Sequence, residues 1–177
     1  MSAQVHDTIP QDLSPAGALK ILKEGNDRFI KNLKINRNLL KQMNDTKDGQ
    51  WPFAAILSCM DSRTSAELIF DQGLGDIFSI RIAGNVITQG ILGSLEYATA
   101  LAGSRLILVL GHTKCGAIKG ACDDVKYGNL TSLLDRIRPS VDKVTTTGSG
   151  ASEEPEFLNE VALTNVHNSV PSDNGRK

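Results

Sequence analysis

The chain has 177 residues, the size of one ordinary domain, since domains usually run to roughly 100–200 residues. Its 19 basic and 20 acidic side chains leave a formal charge of −1 and a pI near 6.3, so no basic surplus exists for a phosphate backbone and nucleic acid is excluded as an expected partner. With 40% hydrophobic and 22% charged residues the composition is that of a folding domain, no apolar run nears the ~18–20 residues a bilayer demands, and three cysteines make no disulfide framework. No membrane partner is expected. The N-terminus lacks a basic region followed by an apolar one, so the expected location is cytoplasmic, where thiols stay free for metal or chemistry.

Residues 1–50 read as a polar N-terminal helical arm, with Ser14 and Pro15 as cap and first-turn residue ahead of Ala18, Leu19, Ile21 and Leu22. From Trp51 the texture changes. Phe53-Ala-Ala-Ile-Leu57 is a continuous apolar run of the kind buried on both faces of a parallel sheet. Thr64-Ser-Ala-Glu67 has capping-box spacing and predicts a short helix through Phe70, closed by Gln72-Gly73-Leu-Gly75. A second strand is predicted over Asp76–Ile82, and a crossover helix over Gly90–Ala102, where Ile91, Leu92, Leu95, Ala98 and Leu101 recur at helical spacing. Arg105-Leu-Ile-Leu-Val-Leu110 is the clearest strand, followed by helical turns over Gly116–Val125 and Leu130–Ile137, ending before Pro139. Thr145–Pro155 is composed like a loop, and Glu156–Val170 begins a further helix. The alternation predicts an α/β fold: a mostly parallel central sheet flanked by helices, with an α/β core over 51–144 and a loop and short C-terminal segment over 145–177.

The first strand runs into Cys59-Met-Asp61-Ser-Arg63 and the third into Gly111-His112-Thr-Lys-Cys115, both just past C-terminal strand ends, where open parallel sheets place ligand sites. Cysteine and histidine are suited to Zn²⁺. If one ion takes Cys59, His112 and Cys115, the first and third strands are neighbours and the sheet order is 2-1-3 and onward, with the reversal at the site. Asp61 can supply the fourth ligand, or turn away and accept a hydrogen bond from the metal-bound species, and Arg63 can hold its carboxylate in a fork.

The motifs Cys59-x-Asp61-x-Arg63, Arg81-Ile-Ala83-Gly84-Asn85, Gly93-Ser-Leu-Glu96-Tyr97 and Gly111-His112-x-x-Cys115-Gly116, taken in order over about residues 14–140, resemble the β-class carbonic anhydrases. The resemblance implies a zinc enzyme hydrating CO₂ reversibly to bicarbonate and a proton through zinc-bound hydroxide. It implies Cys59, His112 and Cys115 as zinc ligands, Asp61 and Arg63 as the catalytic dyad, and a homodimer or higher homo-oligomer. The substrate crevice it implies lies at a dimer interface, lined by Gln50, Phe78, Ala83, Tyr97 and Gly116. Two thiolates donate more charge than imidazoles would, so activity is expected to favour alkaline pH. A bicarbonate-regulated subgroup carries Trp three residues before the first cysteine ligand; here that residue is Ile56, and no such regulation is expected. Members of the family also continue with a further helix and strand beyond the segment corresponding to Glu156–Val170, which the given sequence does not contain.

Singly, each cysteine reads as a buried core residue, and Cys122, on a helix after the motif, reads as core or surface filler. Asp61 and Arg63 alone would be a structural ion pair. Two other functions fit the same residues: a zinc-stabilised regulatory module without catalysis, and hydrolysis of a related heterocumulene such as carbon disulfide or carbonyl sulfide.

Overall fold

The computed structural model describes residues 12–147 and 154–170. Three strands, β1 (Ala54–Ser58), β2 (Ile77–Arg81) and β3 (Leu106–Leu110), form a parallel sheet in the order β2-β1-β3. The central strand is buried at every position, as the apolar run of its first four residues requires, and Ser58 at its end is buried with them. Eight α-helices accompany the sheet among the described residues: α1 (Pro15–Ile30), α2 (Leu39–Asp45), α3 (Ala66–Ile69), α4 (Gln89–Glu96), α5 (Gly116–Cys122), α6 (Gly128–Leu134), α7 (Arg138–Thr147) and α8 (Pro155–Ser169).

The described chain forms two compact units interleaved in sequence. The first takes the arm, the bodies of the three strands, α3 and α4. Here Ser14 caps α1, its hydroxyl accepting the Gly17 N–H at 3.1 Å, with Pro15 in the first turn as expected. Gly25 lets α1 press onto residue 70, for a Cβ there would lie 1.7 Å from the Phe70 carbonyl oxygen. Beside this contact the buried Asp71 carboxylate accepts from Arg28 Nε and Arg37 Nη1, each at 2.5 Å, and from the Ile35 N–H at 3.3 Å. Burial alone would raise its pKa, but the two guanidiniums and the amide outweigh that and hold it below the usual carboxylate range.

Local signals went astray in two helices of this unit. The cap of α3 is Ser65 rather than Thr64, and it makes no capping bond; its hydroxyl donates to Glu67 instead, in a helix of a single turn. The predicted helix over Gly90–Ala102 is α4 followed by a wider π turn, Tyr97–Leu101. Thr99 Oγ1 donates to the Leu95 carbonyl at 2.9 Å, occupying the acceptor its own amide would use, and the Ala102 N–H reaches back five residues to Tyr97.

The second unit takes residues 58–61, 81–88 and 109 onward. Its core gathers Cys59, Val86, Cys115, Ile118, Ile137, Val141, Phe157 and Val161, so α5, α7 and α8 pack around the ends of the sheet strands that belong to it. Pro139 begins a helix here rather than ending one. At the second position of α7 its missing N–H is one that would have no intrahelical partner anyway, and the helix runs on through residues 145–147 of the expected loop. The centre of that loop lies outside the described residues, as do residues 1–11 of the arm. The helix expected from Glu156 is α8, with Pro155 in its first turn.

Candidate metal centre

Each ligand-bearing segment begins where a strand stops. Cys59 follows β1 directly, and His112 and Cys115 flank the turn between β3 and α5, Cys115 being the residue that caps α5. Lys114 adopts φ 54° between them, turning the chain so that both side chains reach one point. The donor atoms of Cys59, His112 and Cys115 all lie within 4.8 Å of one another, and both cysteines are buried.

The detailed geometry suits one shared ion. The sulfurs are 3.8 Å apart, too far for a disulfide of ~2.05 Å, yet equal to the ~3.8 Å between two thiolates on one tetrahedral ion with ~2.3 Å bonds. His112 Nδ1–H donates to the Thr113 carbonyl at 2.9 Å, which leaves Nε2 as the lone-pair nitrogen. That Nε2 is buried without a hydrogen-bond partner, a costly position for a polar atom unless a ligand occupies it. Donation from Cys115 holds the Cys59 thiol well below the ordinary thiol range despite burial, helped by the Gly84 N–H, while the Cys59 sulfur and burial push that of Cys115 up.

The Cys59–Asp61 loop is held through its backbone. Arg81 donates from Nε to the Cys59 carbonyl at 3.2 Å and from Nη2 to the Asp61 carbonyl at 2.5 Å. Asp61 Oδ2 stands 4.0 Å from His112 Nε2, so the carboxylate borders the ligand group. Arg63 is exposed, two residues further along. Arg81 stands in the second family motif without an expected role, and its place at the end of β2 beside a ligand loop is the signal for this one.

Of the expected pocket residues, Phe78 and Tyr97 meet edge-on with ring centroids 6.3 Å apart, lining one open concavity with Ser79, Ile80, Gly90, Gly93 and Ser94. Gln50 is exposed after α2. Ala83 lies in a 3₁₀ turn, Ala83–Asn85, and Gly116 is the exposed first residue of α5; none of these three lines that concavity. Cys122 is partly buried against the second unit's core, as expected, and burial raises its pKa.

Two thiols and an imidazole at the C-terminal ends of adjacent parallel strands make this an α/β protein with a Cys-His-Cys group placed to hold a metal ion. The sequence profile described as "Carbonic anhydrase" matches residues 54–172, and the chain belongs to that family, in its β class. It is 42% identical over 134 residues to carbonic anhydrase 2 of Mycobacterium tuberculosis, covering 72% of this chain and 65% of that one. With the carbonic anhydrase of Mycolicibacterium smegmatis the identity is 39% over 150 residues, covering 81% and 72%. The chain thus spans slightly under two thirds of the first relative's length. Among solved structures, a tetrameric β-carbonic anhydrase of Sordaria macrospora superposes with TM-score 0.67 at 25% identity, covering 72% of this chain and 67% of that one. A Coccomyxa β-carbonic anhydrase in complex with acetazolamide shares the fold, with TM-score 0.66 at 23% identity, over 90% and 70%.

Proposed function

We propose that this protein hydrates carbon dioxide reversibly to bicarbonate and a proton, with zinc held by Cys59, His112 and Cys115. The observation that carries the reading is the convergence of two buried sulfurs and an unpartnered imidazole nitrogen within 4.8 Å of one another. Bound zinc supplies a Lewis acid that brings the pKa of a coordinated water from about 15.7 toward neutrality.

The chain's own groups do the rest. Two thiolates and a neutral imidazole balance the charge of a divalent ion, so the centre costs little to bury. Asp61 is the fourth donor, or, when turned toward Arg63, the acceptor that fixes the orientation of the reacting oxygen. Arg81 keeps the Cys59–Asp61 loop from shifting as the carboxylate changes partner. Phe78 and Tyr97 offer a small nonpolar surface suited to CO₂, and Gln50, Ala83 and Gly116 are the further crevice residues that the family resemblance assigns, Gln50 to orient a substrate oxygen. We also assign the protein to the cytoplasm as a homodimer or higher homo-oligomer. The free thiols and the tetrameric relative support that assignment, and no described helix is long and apolar enough to cross a membrane.

Stopped-flow CO₂ hydration on purified protein of measured zinc content tests the reading, with Asp61→Asn alongside. One zinc per chain and hydration that rises above pH 8 are expected, with Asp61→Asn keeping metal and losing most activity. Zinc without hydration at any pH would make the protein a metal-stabilised module. Turnover of carbon disulfide or carbonyl sulfide in place of CO₂ would move it to heterocumulene hydrolysis.

A further inference from the structure

We infer that Asn165 is a positioning residue for the metal centre: from α8 it holds the Gly84 carbonyl and thereby aims the Gly84 N–H at the Cys59 sulfur. The inference rests on the reading that Cys59, His112 and Cys115 hold the ion.

Gly84 faces two ways. Its N–H donates to Cys59 Sγ at 3.4 Å, and its carbonyl accepts from Asn165 Nδ2 at 2.8 Å, so one residue connects the ligand sulfur to α8. The turn containing it is not self-supporting. Gly84 (φ 66°) and Asn85 (φ 44°) both occupy the left-handed region, and for the asparagine this is a strained conformation that surrounding structure must offset. Within the turn the Asn85 N–H bonds back to the Ile82 carbonyl at 3.0 Å. The support from α8 is Asn165 on the Gly84 carbonyl, while the Ser169 hydroxyl, which donates to the Asn165 carbonyl at 2.8 Å, stands 3.2 Å from the Asn85 carbonyl. A side chain is also excluded at the first of these positions, because a Cβ on Gly84 would stand 2.7 Å from Ile137 Cδ1.

Packing alone does not explain an asparagine at this place. The buried residues of α8 are Phe157, Val161, Asn165 and Ser169, one face at four-residue spacing, and an apolar side chain would continue the stripe. A buried amide is costly unless its groups are paired. Here Nδ2 serves Gly84, and Oδ1 accepts from Ser140 Oγ at 3.4 Å, itself accepting from Asn168 Nδ2 at 2.8 Å. The amide is thus oriented with its donor toward the metal side. An N–H aimed at a ligand sulfur favours the thiolate and withdraws charge from the metal–sulfur bond.

The test loads the full chain with ¹¹³Cd and measures scalar coupling between the metal and the Gly84 amide proton, which requires an N–H···S bond to a ligand sulfur. Zinc affinity is measured in parallel by chelator competition. Coupling at Gly84 is expected in the unmodified protein, with its loss and about tenfold or greater weakening of zinc binding in Asn165→Leu. Asn168→Ala, which touches Ser140 but not the turn, should keep both. If Asn165→Leu does not fold, Asn165→Ala is read the same way. Failure to take up cadmium or zinc would overturn the metal reading itself. Metal uptake without coupling at Gly84, or coupling and affinity unchanged by loss of the Asn165 amide, would overturn the positioning role alone.

Discussion

Gly111 immediately precedes the His112 ligand and lies under α8, where an added Cβ would stand 2.6 Å from Val166 Cγ2. Ordinary contact begins at 3.4 Å, so Gly111→Ala must open the gap by about 0.8 Å. Valine cannot swing away easily, because its branched Cβ leaves few χ1 positions. The strain should cost roughly 1–3 kcal/mol, a fall in melting temperature of roughly 2–12 °C for a chain of this length. The adjacent imidazole moves with its backbone, and zinc binding should weaken about tenfold or more. Thermal melts of the metal-free protein and chelator competition on the zinc form measure the two effects separately. Val166→Ala removes the clashing methyl, so the double variant should regain most of both losses, with a coupling of about 1 kcal/mol or more. A Gly111→Ala protein that melts and binds zinc like the original, or a double variant showing no recovery, would refute the account of α8 as a tight cover on this loop.

Further outcomes follow from other residues. Asp71→Asn leaves Arg37, only 7% exposed, without its carboxylate, and should cost about 3 kcal/mol at pH 7 by urea unfolding. Because the folded pKa of Asp71 lies below the unfolded value of about 3.9, its contribution is complete above that pH and lost as pH falls through the folded pKa. The Asp71→Asn deficit should therefore shrink below about pH 4; a deficit independent of pH would contradict the ion-pair account. Metal analysis should find one zinc per chain in Cys122→Ser and essentially none in Cys115→Ser, since Cys122 is not part of the donor cluster. With Ile56 buried at the position before Cys59 where the regulated subgroup has Trp, bicarbonate titrations should show no cooperative inhibition at sub-saturating CO₂.

The chemistry was more legible than the local structure. The requirement that Cys59 and Cys115 reach one ion implied the 2-1-3 strand order, and the sheet has it, because a short metal–ligand distance constrains chain path more tightly than residue propensity does. Ser14 and Pro15 were readable because cap chemistry is local. Thr64 and Pro139 misled for the same reason: the same residues fit more than one position at a helix terminus, and neighbouring packing selects among them. The π turn after α4 was not visible in apolar spacing, since it depends on one threonine hydroxyl taking a carbonyl. Asn165 falls within the helix expected over Glu156–Val170, where a lone amide in the Phe157, Val161, Ser169 stripe marks it. Contact with residues some eighty positions earlier is not written in spacing at all.

α8 has a consequence for biosynthesis. Cys59 leaves the ribosome roughly a hundred residues before Asn165, a delay on the order of 5–20 s at about 5–20 residues per second. During that interval the sulfurs lack the cover of Phe157 and Val161, which share their core in the finished fold. The nascent chain therefore passes through a stage in which Cys59 and, once made, Cys115 are open to oxidants and competing metals, and arrival of the last described helix ends that exposure.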